Sequence, residues 1–407
     1  MTTLFGTLYA IGNVFGGHGI GNIAARAAEG LWRDRAVARV VCLDSRPTMI
    51  HDDVIHHVPF PRDAWRRIVP DKAYYLAKNA RFDMGVERVW REYRNDIRTM
   101  HVWNSQATNA AVRAKASGAK VVVDRASSHI LTQTLILREA YKREGIRYEP
   151  TWRRVIDRCL RDYETADLVT VPSPFAYRSF LDHGYPPDRL TLNPFGFDVR
   201  PDTPQATQDD RATFRVLFAG QVGVRKGVFD LLRAWDRAAL PNARLTLVGG
   251  VEKAAADKLA PWRDRSDIEF PGFRNDVPAL MAASHAFCFP TLEEGSALVT
   301  YEAMAHGLPM VTTVESGTVA QGDRSAILVR AGDIDAVAAA LTRLYEDPDL
   351  ATRLGAAARA RVAEYPWADY GARVAKAHRA LLGEASMDEV VAIDPDVLID
   401  PMAEAGA

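Results

Sequence analysis

The chain has 407 residues, of which 48% are hydrophobic and 25% are charged, and its formal net charge is −1. This length exceeds one ordinary hydrophobic core and predicts two domains, and the composition excludes a disordered or fibrous protein. The three cysteines form no C-x-x-C pair, which argues against a disulfide framework or a cysteine zinc site. We find no leader sequence and no apolar run of membrane-spanning length, and therefore expect a cytoplasmic protein.

The charges are unevenly distributed, because the first 200 residues are net basic and the remainder is net acidic. A basic first half suggests an anionic partner, although we expect no nucleic acid. Residues 63–98 alternate aromatic side chains with Arg and Lys. Two interpretations fit this segment: a surface for peripheral contact with the anionic inner face of a membrane, or a solvated helix whose aromatic residues lie in the core.

The first half begins with a predicted strand, Thr3–Tyr9, a glycine-rich loop over 11–20 and a helix over 21–31. Strand, glycine-rich turn and helix make a phosphate-binding layout, with Gly16 and Gly17 at its centre. The spacing is not G-x-G-x-x-G and there is no Walker lysine, so a tight strand-to-helix connection fits equally well.

Further on, the predicted strand Lys120–Asp124 is followed by a polar cluster, Arg125–His129. The carboxyl ends of strands are where open α/β sheets bind ligands, so His129 is either a donor to a ligand or a structural histidine. The pair His56–His57 has no carboxylate or cysteine at ligand spacing, and we predict no metal site.

The alternation of strands and helices with short loops predicts an α/β protein with two Rossmann-like domains facing across a cleft. We place the first domain at 1–195 and a polar, proline-containing linker at 196–213. The second domain follows at 214–365. A further helix is predicted at 366–383 and a mobile tail at 384–407.

The segment Thr291–Pro309, TLEEGSALVTYEAMAHGLP, is the most informative. It predicts a helix, capped by Ser296 or a neighbour, with Glu294 and Glu302 on one face. The amides at the start of such a helix bind anions, and Gly295 would let a ligand approach the backbone. The alternative is a solvent-facing helix that carries two glutamates.

The preceding glycine-rich loop, Gly220–Gly227, carries the adjacent cations Arg225 and Lys226 at the end of a predicted strand. Cations and backbone amides suit a diphosphate, and carboxylates suit the hydroxyls of a ribose or a sugar. The second half therefore predicts a nucleotide-sugar site.

Three motifs of this half are G-Q-V-G-V-R-K-G, G-F-R-N-D-V and E-E-G-S-A-L-V-T-Y-E-A-M-A-H-G-L-P. On these motifs the chain resembles the family-4 retaining glycosyltransferases (glycosyltransferase group 1) of GT-B fold, over most of its length and most strongly in 214–312. The resemblance implies hexosyl transfer with retention from a nucleoside-diphosphate-sugar to a hydroxyl of a glycan, a lipid-linked acceptor, a polysaccharide or a small molecule. It also implies that the domain at 1–195 binds the acceptor, that the domain at 214–365 binds the nucleotide-sugar, and that the helix at 366–383 crosses back to the first domain. It implies no metal, because Arg225 and Lys226 would do the work of a cation, and no cofactor, because the nucleotide-sugar is a co-substrate.

The resemblance also implies roles for individual residues. Glu302 would bind the ribose hydroxyls and Glu294 the donor sugar, and Arg225 and Lys226 would hold the diphosphate. His129 corresponds to a histidine near the reacting sugar and joins Arg225, Lys226 and Glu294 as the catalytic set. The remaining donor-site residues would be Gly16 and Gly17 across the cleft, Gly220, Gly272, Phe273 and Arg274 against the base, and Gly295, Ser296, Ala297 and Leu298. The family's aromatic-glycine pair is replaced here by Ser296–Ala297, which leaves the donor sugar open.

Three other functions remain as alternatives: a sugar-nucleotide epimerase of the same fold, a phosphorylase, and a non-catalytic or NAD-binding Rossmann protein. NAD-binding loops have a glycine fingerprint with an acidic residue about twenty positions further on. The Gly220–Gly227 loop lacks that spacing, which argues against NAD.

Overall fold

A computed structural model describes residues 6–60, 71–147 and 151–393 of the chain. Its first domain is built on a seven-stranded sheet of order β3-β2-β1-β4-β5-β6-β7, in which every neighbouring pair is parallel. The strands are β1 (Thr7–Phe15), β2 (Val37–Ser45), β3 (Ile55–His57), β4 (Thr99–Trp103), β5 (Lys120–Asp124), β6 (Leu168–Val171) and β7 (Leu190–Leu192).

Helices cover both faces of this sheet, which is why nearly every position of its central strands is buried, rather than every second one. They are α1 (Ile20–Arg33), α2 (Asp71–Tyr93), α3 (Thr108–Ala116), α4 (Ile130–Arg143), α5 (Arg153–Thr165) and α6 (Pro174–Leu181). Strand β1 extends five residues, 11–15, into the segment 11–20 that was predicted to be a glycine-rich loop. Residues 11–15 pair with β2, so the backbone turns only at Gly16.

The second domain has a six-stranded parallel sheet of order β10-β9-β8-β11-β12-β13. Its strands are β8 (Phe214–Ala219), β9 (Ala243–Val248), β10 (Ile268–Gly272), β11 (Ala286–Phe289), β12 (Met310–Thr313) and β13 (Ile327–Val329). Its helices are α7 (Val228–Ala238), α8 (Ala260–Arg263), α9 (Val277–Ala282), α10 (Leu298–Ala305), α11 (Ile334–Glu346) and α12 (Pro348–Ala363). The strand order reverses between β8 and β11, which is where open α/β sheets form a ligand crevice.

The last long helix, α13 (Trp367–Leu381), returns to the first domain and packs against α1. The two backbones meet at glycines: a Cβ on Gly30 would stand 2.2 Å from the carbonyl oxygen of Gly371. Only residues without side chains allow this approach. The predicted fold class, two parallel-sheet domains with a returning C-terminal helix, is thus confirmed.

Three stretches qualify the sequence interpretation. The predicted basic amphipathic segment includes Trp65, Arg66 and Arg67, which lie outside the described residues. Within α2, Phe82 is fully buried whereas Tyr75 is exposed, so its aromatic residues divide between core and surface. The predicted tail contains a short helix, α14 (Asp388–Val391), whose Val390 carbonyl accepts a hydrogen bond from the Thr191 hydroxyl. Residues 394–407 of that tail are outside the described chain.

Candidate active site

The carboxyl ends of the two sheets meet at a close backbone contact. A Cβ on Gly295, in the loop after β11, would stand 2.3 Å from the carbonyl carbon of Ala126, in the loop after β5. The expectation that Gly295 leaves room for a ligand is therefore wrong for this conformation. Its missing side chain instead lets the first domain touch the second.

Two cations and a carboxylate gather beside this contact. The loop after β8 ends at Gly227, whose φ of 67° is left-handed and which begins α7. Lys226 forms an ion pair with Glu294, and the Arg225 Nη2 lies 3.4 Å from the same Glu294 oxygen. Arg225, Lys226 and Glu294, which the sequence assigned to the diphosphate and the donor sugar, thus lie together. The Glu294 carboxylate forms ion pairs with both cations.

The preceding residue, Glu293, is fully buried and belongs to the same cluster. Its carboxylate lies 3.2 Å from the Arg225 Nε and accepts hydrogen bonds from Ser127, Ser128 and Gln133 of the first domain. Burial alone would raise the pKa of Glu293, but the Arg225 charge and these donors outweigh it and lower the pKa to about 2. Glu293 is therefore ionised throughout the physiological range.

Glu302 is the third glutamate of the motif, and the surroundings of its carboxylate differ from those of Glu293. It lies partly buried in α10. Among the described residues, its carboxylate has no hydrogen-bond or ion-pair partner. Burial raises the pKa of Glu302 to about 7. A desolvated carboxylate without a protein partner is the arrangement expected where a ligand hydroxyl completes the site.

The start of α10 differs from the predicted anion-binding cap. Ser296 is not the N-cap: its hydroxyl lies 3.0 Å from the Tyr301 hydroxyl and donates to the Gly317 carbonyl oxygen at 2.7 Å. Ala297 precedes the helix, and its N–H donates to the Ser316 carbonyl oxygen at 2.9 Å. Of the four donor-site residues predicted here, Gly295–Leu298, Ala297 therefore has an amide that is already bonded within the protein.

A cavity of about 420 Å³ opens at the carboxyl ends of β8, β9 and β10. Gly220, Phe273 and Arg274, three of the predicted donor-site residues, lie in its wall. Phe273 is 79% exposed, which is unusual for a large apolar side chain and leaves its ring free to stack on a planar group. Gly272 ends β10 with a left-handed φ of 73° and turns the chain toward this wall.

The glycine-rich loop of the first domain is bonded to itself. The Gly16 N–H donates to the Gly21 carbonyl oxygen at 3.0 Å, and the Gly17 N–H donates to the Val14 carbonyl oxygen at 3.1 Å. A phosphate at these amides would first have to displace both bonds. The structure thus provides a compact strand-to-helix connection, which was the alternative interpretation of this loop.

His129, predicted to be catalytic, is a core residue. Its imidazole is packed among the rings of Tyr163, Phe180 and His183, with centroids 5.0, 4.9 and 4.2 Å away, and the residue is 4% exposed. Burial, followed by the nearby His183 and Arg125, lowers the pKa of His129 to about 3. In this conformation aromatic side chains enclose the ring, which favours the structural interpretation of this histidine.

Sequence reasoning overlooked Glu293 and its serine partners. The polar cluster after β5 did indicate a ligand-facing loop, but only His129 was predicted to have a role, and Ser127 and Ser128 were not. The signal for Glu293 was the doubled glutamate of TLEEG, of which only the second was considered.

Residues 6–60, 71–147 and 151–393 contain no group of three or more His, Cys, Asp or Glu side chains arranged to hold a metal ion. Within the same ranges, no helix combines the length and the apolar character needed to cross a bilayer.

Comparison with known proteins assigns the second domain to a family. Residues 213–347 match the family model described as glycosyl transferases group 1. The chain is 30% identical over 217 residues to the MMP alpha-(1->4)-mannosyltransferase of Mycolicibacterium hassiacum, covering 51% of this chain and 52% of that protein. It is 27% identical over 342 residues to a GDP-mannose-dependent alpha-(1-6)-phosphatidylinositol monomannoside mannosyltransferase of Mycobacterium tuberculosis, covering 77% and 83% of the two chains.

The first curated relatives are matched over only part of their length, because the chain spans 52% to 62% of them. The fold extends further: sucrose-phosphate synthase from Thermosynechococcus elongatus superposes with a TM-score of 0.71 at 18% identity, covering 94% of this chain and all of that one. The second domain therefore matches the group 1 glycosyltransferases over residues 213–347, and the two domains together have the GT-B fold.

Proposed function

We propose that the protein is a retaining hexosyltransferase that moves a sugar from a nucleoside-diphosphate-sugar to a hydroxyl acceptor without a metal. One observation carries the proposal: Arg225 and Lys226 converge on Glu294 at the crevice edge of the second sheet, in the motif that also carries the unpartnered Glu302. Cations for a diphosphate and a carboxylate for a diol are the two requirements of a nucleotide-sugar.

Four parts of the donor would each have a binding place: the diphosphate, the ribose, the base and the sugar. Its diphosphate would replace Glu294 as the partner of Arg225 and Lys226, and the ribose hydroxyls would donate to Glu302. Its base would enter the 420 Å³ cavity and stack on Phe273. Once displaced from the cations, Glu294 would be free to accept hydrogen bonds from the sugar hydroxyls.

The transfer step would use charge stabilisation rather than an enzymic nucleophile. As the bond between the anomeric carbon and the diphosphate oxygen breaks, Arg225 and Lys226 would offset the charge that develops on the leaving group. The acceptor hydroxyl would form its bond to the anomeric carbon on the face that the diphosphate leaves. Its proton would pass to a leaving-group oxygen, so that the configuration is retained.

Metal independence follows in this proposal from the same two cations, which stand where a metal-dependent enzyme would hold its ion. Chelation with EDTA is therefore expected to leave the initial rate unchanged. A rate that falls on chelation and returns with Mg²⁺ or Mn²⁺ would refute this part of the proposal.

The donor and acceptor are to be sought among those named for the relatives. Because one relative is described as GDP-mannose-dependent, GDP-mannose is the first donor to test. The acceptor is a hydroxyl on a glycan, a glycolipid or a small molecule, and a lipid-linked acceptor would bring the basic first domain to an anionic membrane. In that case the protein is expected to sediment with anionic liposomes at low salt and to dissociate at high salt; no sedimentation at low salt would refute membrane contact.

A screen of nucleotide-sugars tests the function as a whole. Hydrolysis of one donor, followed by transfer to an acceptor with the anomeric configuration of the product read by NMR, is the expected outcome. Conversion of the donor sugar to its epimer without an acceptor would favour the epimerase alternative instead. Release of a sugar phosphate from a glycan in the presence of inorganic phosphate would favour the phosphorylase.

A further inference from the structure

The carboxylate of Glu293 is the point at which the first domain binds the second. The serine loop, residues 125–128, and the neighbouring Gln133 surround it. Ser127 Oγ donates at 2.6 Å, and Ser128 donates through its hydroxyl at 2.8 Å and its N–H at 3.1 Å. Gln133 Nε2 donates to the other carboxylate oxygen at 2.9 Å. Four donors of one domain thus converge on one fully buried carboxylate of the other.

The donors are themselves held in place. Arg125 donates through Nε to the Ser128 carbonyl oxygen at 2.9 Å and through Nη2 to Gln133 Oε1 at 2.9 Å. This second bond fixes the orientation of the Gln133 amide, because its oxygen is occupied and its Nε2 must point toward Glu293 and the Ser127 hydroxyl. The first domain therefore presents a preformed site for a carboxylate.

Glu293 also fixes the cation that the donor diphosphate requires. The Nε of Arg225 donates to the Glu293 carbonyl oxygen at 2.9 Å and lies 3.2 Å from its carboxylate. With the Nε engaged, the Nη2 end of the guanidinium is directed toward Glu294, at 3.4 Å. One residue thus binds the first domain and orients Arg225.

This geometry couples two events. A buried carboxylate without donors is costly, so the serine loop and Glu293 stabilise each other only when the domains are together. The contact at Gly295 brings the Ala126 backbone into place at the same time. Separation of the domains would remove four of the hydrogen bonds that hold the Glu293 carboxylate, and with them the constraint on Arg225.

We propose that Glu293, Ser127, Ser128 and Gln133 are positioning residues that orient Arg225 toward the diphosphate when the two domains close. The proposal rests on the proposed function for the identity of the ligand. It assigns the serine loop to closure and to cation alignment rather than to contact with the sugar.

The test compares Glu293→Gln and the double variant Ser127→Ala with Ser128→Ala against a matched control. The control is Asp230→Asn, which weakens a different contact between the domains, the ion pair of the buried Asp230 with the partly exposed Arg143 at 2.7 Å, neither of which pairs with Arg225. For each variant one measures kcat and KM for hydrolysis or transfer of the active nucleotide-sugar. Small-angle scattering with UDP or GDP reports how compact the protein is, and thermal unfolding reports its folding.

We expect Glu293→Gln and the serine variant to be less compact and to lose roughly tenfold to a hundredfold in kcat, with a smaller change in KM. The control is expected to keep kcat within about twofold, because it does not touch Arg225. Should Glu293→Gln fail to fold, the serine variant still decides, because it leaves Glu293 and Arg225 intact.

Unchanged compactness and kcat in the serine variant, or an equal loss of kcat in Asp230→Asn, would overturn the proposal. An opened molecule with unchanged kcat would also overturn the role in orienting Arg225. A wild-type protein that binds no nucleoside diphosphate would instead refute the proposed function, and scattering of the unliganded variants would still show whether Glu293 holds the domains together.

Discussion

Replacing Glu294 by Gln should make the protein bind nucleoside diphosphates more tightly, although it removes a charged acceptor for the donor sugar's hydroxyls in the proposed complex. In the structure the Glu294 carboxylate forms ion pairs with both Lys226 and Arg225. The side chains of Glu294, Lys226 and Arg225 are 12%, 18% and 33% exposed, respectively. A diphosphate must displace this carboxylate before it can bind the cations. Glutamine keeps the shape and loses the charge, so the competition disappears.

The size of the effect follows from the exposure of the pair. Opposite charges about 4 Å apart attract by roughly 4 kcal/mol at an effective dielectric constant of 20, before desolvation is subtracted. Exposed pairs are worth about 1 kcal/mol or less net, and loss of a partner from a buried pair costs more. For this partly buried pair we expect about 1 to 2 kcal/mol, which corresponds to a Kd roughly five to thirty times lower.

Calorimetric titration of the wild type and Glu294→Gln with UDP and GDP measures this difference directly. The control is Glu269→Gln, which removes an exposed carboxylate of the same domain, paired with Arg244 and remote in sequence from the motif. Its Kd should stay within about twofold of wild type, because exposed charges are screened. A weaker or unchanged Kd for Glu294→Gln, or equal tightening in the control, would refute the competition between Glu294 and the diphosphate. Donor turnover by Glu294→Gln should fall, because the sugar loses a charged acceptor.

Four further predictions follow from individual contacts. Lys226→Ala should weaken nucleoside diphosphate binding about tenfold with little change in Tm; a collapse of Tm with unchanged binding would make the lysine structural. Burial raises the folded-state pKa of Glu302 from 4.5 to about 7. The wild type should therefore lose up to about 3 kcal/mol of stability relative to Glu302→Gln as the pH rises from 4.5 through 7. Urea unfolding of both proteins at pH 5 and pH 8 measures this loss, and a stability difference that does not change with pH would contradict the prediction. His129→Ala should lower Tm and leave the Kd for nucleoside diphosphates unchanged, whereas a weakened Kd at unchanged Tm would restore a ligand-binding role. Gly295→Ala should abolish transfer but not nucleotide binding, because its Cβ would collide with the Ala126 backbone on closure; full transfer activity would show that closure tolerates the methyl group.

The sequence predicted the fold well because the fold is encoded in local patterns. Each apolar strand followed by a small-residue turn and a helix contributes one unit of a parallel sheet, and both domains are repetitions of that unit. The cations Arg225 and Lys226 were identifiable for the same reason, since their loop follows directly on β8. Phe273 and Arg274 were assigned to the donor site only through the resemblance to the family.

The cluster around Glu293 could not be predicted in this way, because its members come from two domains. Ser127 and Glu293 are separated by 166 positions, and no local sequence pattern shows that their side chains meet. The surroundings of His129 could not be predicted for a related reason. The sequence correctly predicts that His129 follows β5, but the direction of its ring depends on Tyr163, Phe180 and His183, which come from later parts of the chain. Gly295 shows the same limit, since the space beside it is filled by Ala126.

The central claim is that the crevice of the second domain binds the nucleoside diphosphate part of a sugar donor. It is tested most directly by calorimetric titration of the full chain with UDP, GDP, ADP and NAD under identical conditions. The account predicts that at least one nucleoside diphosphate binds with a Kd on the order of micromolar, that Glu302→Ala weakens that binding, and that NAD does not bind. Binding of NAD with no binding of any nucleoside diphosphate would contradict it.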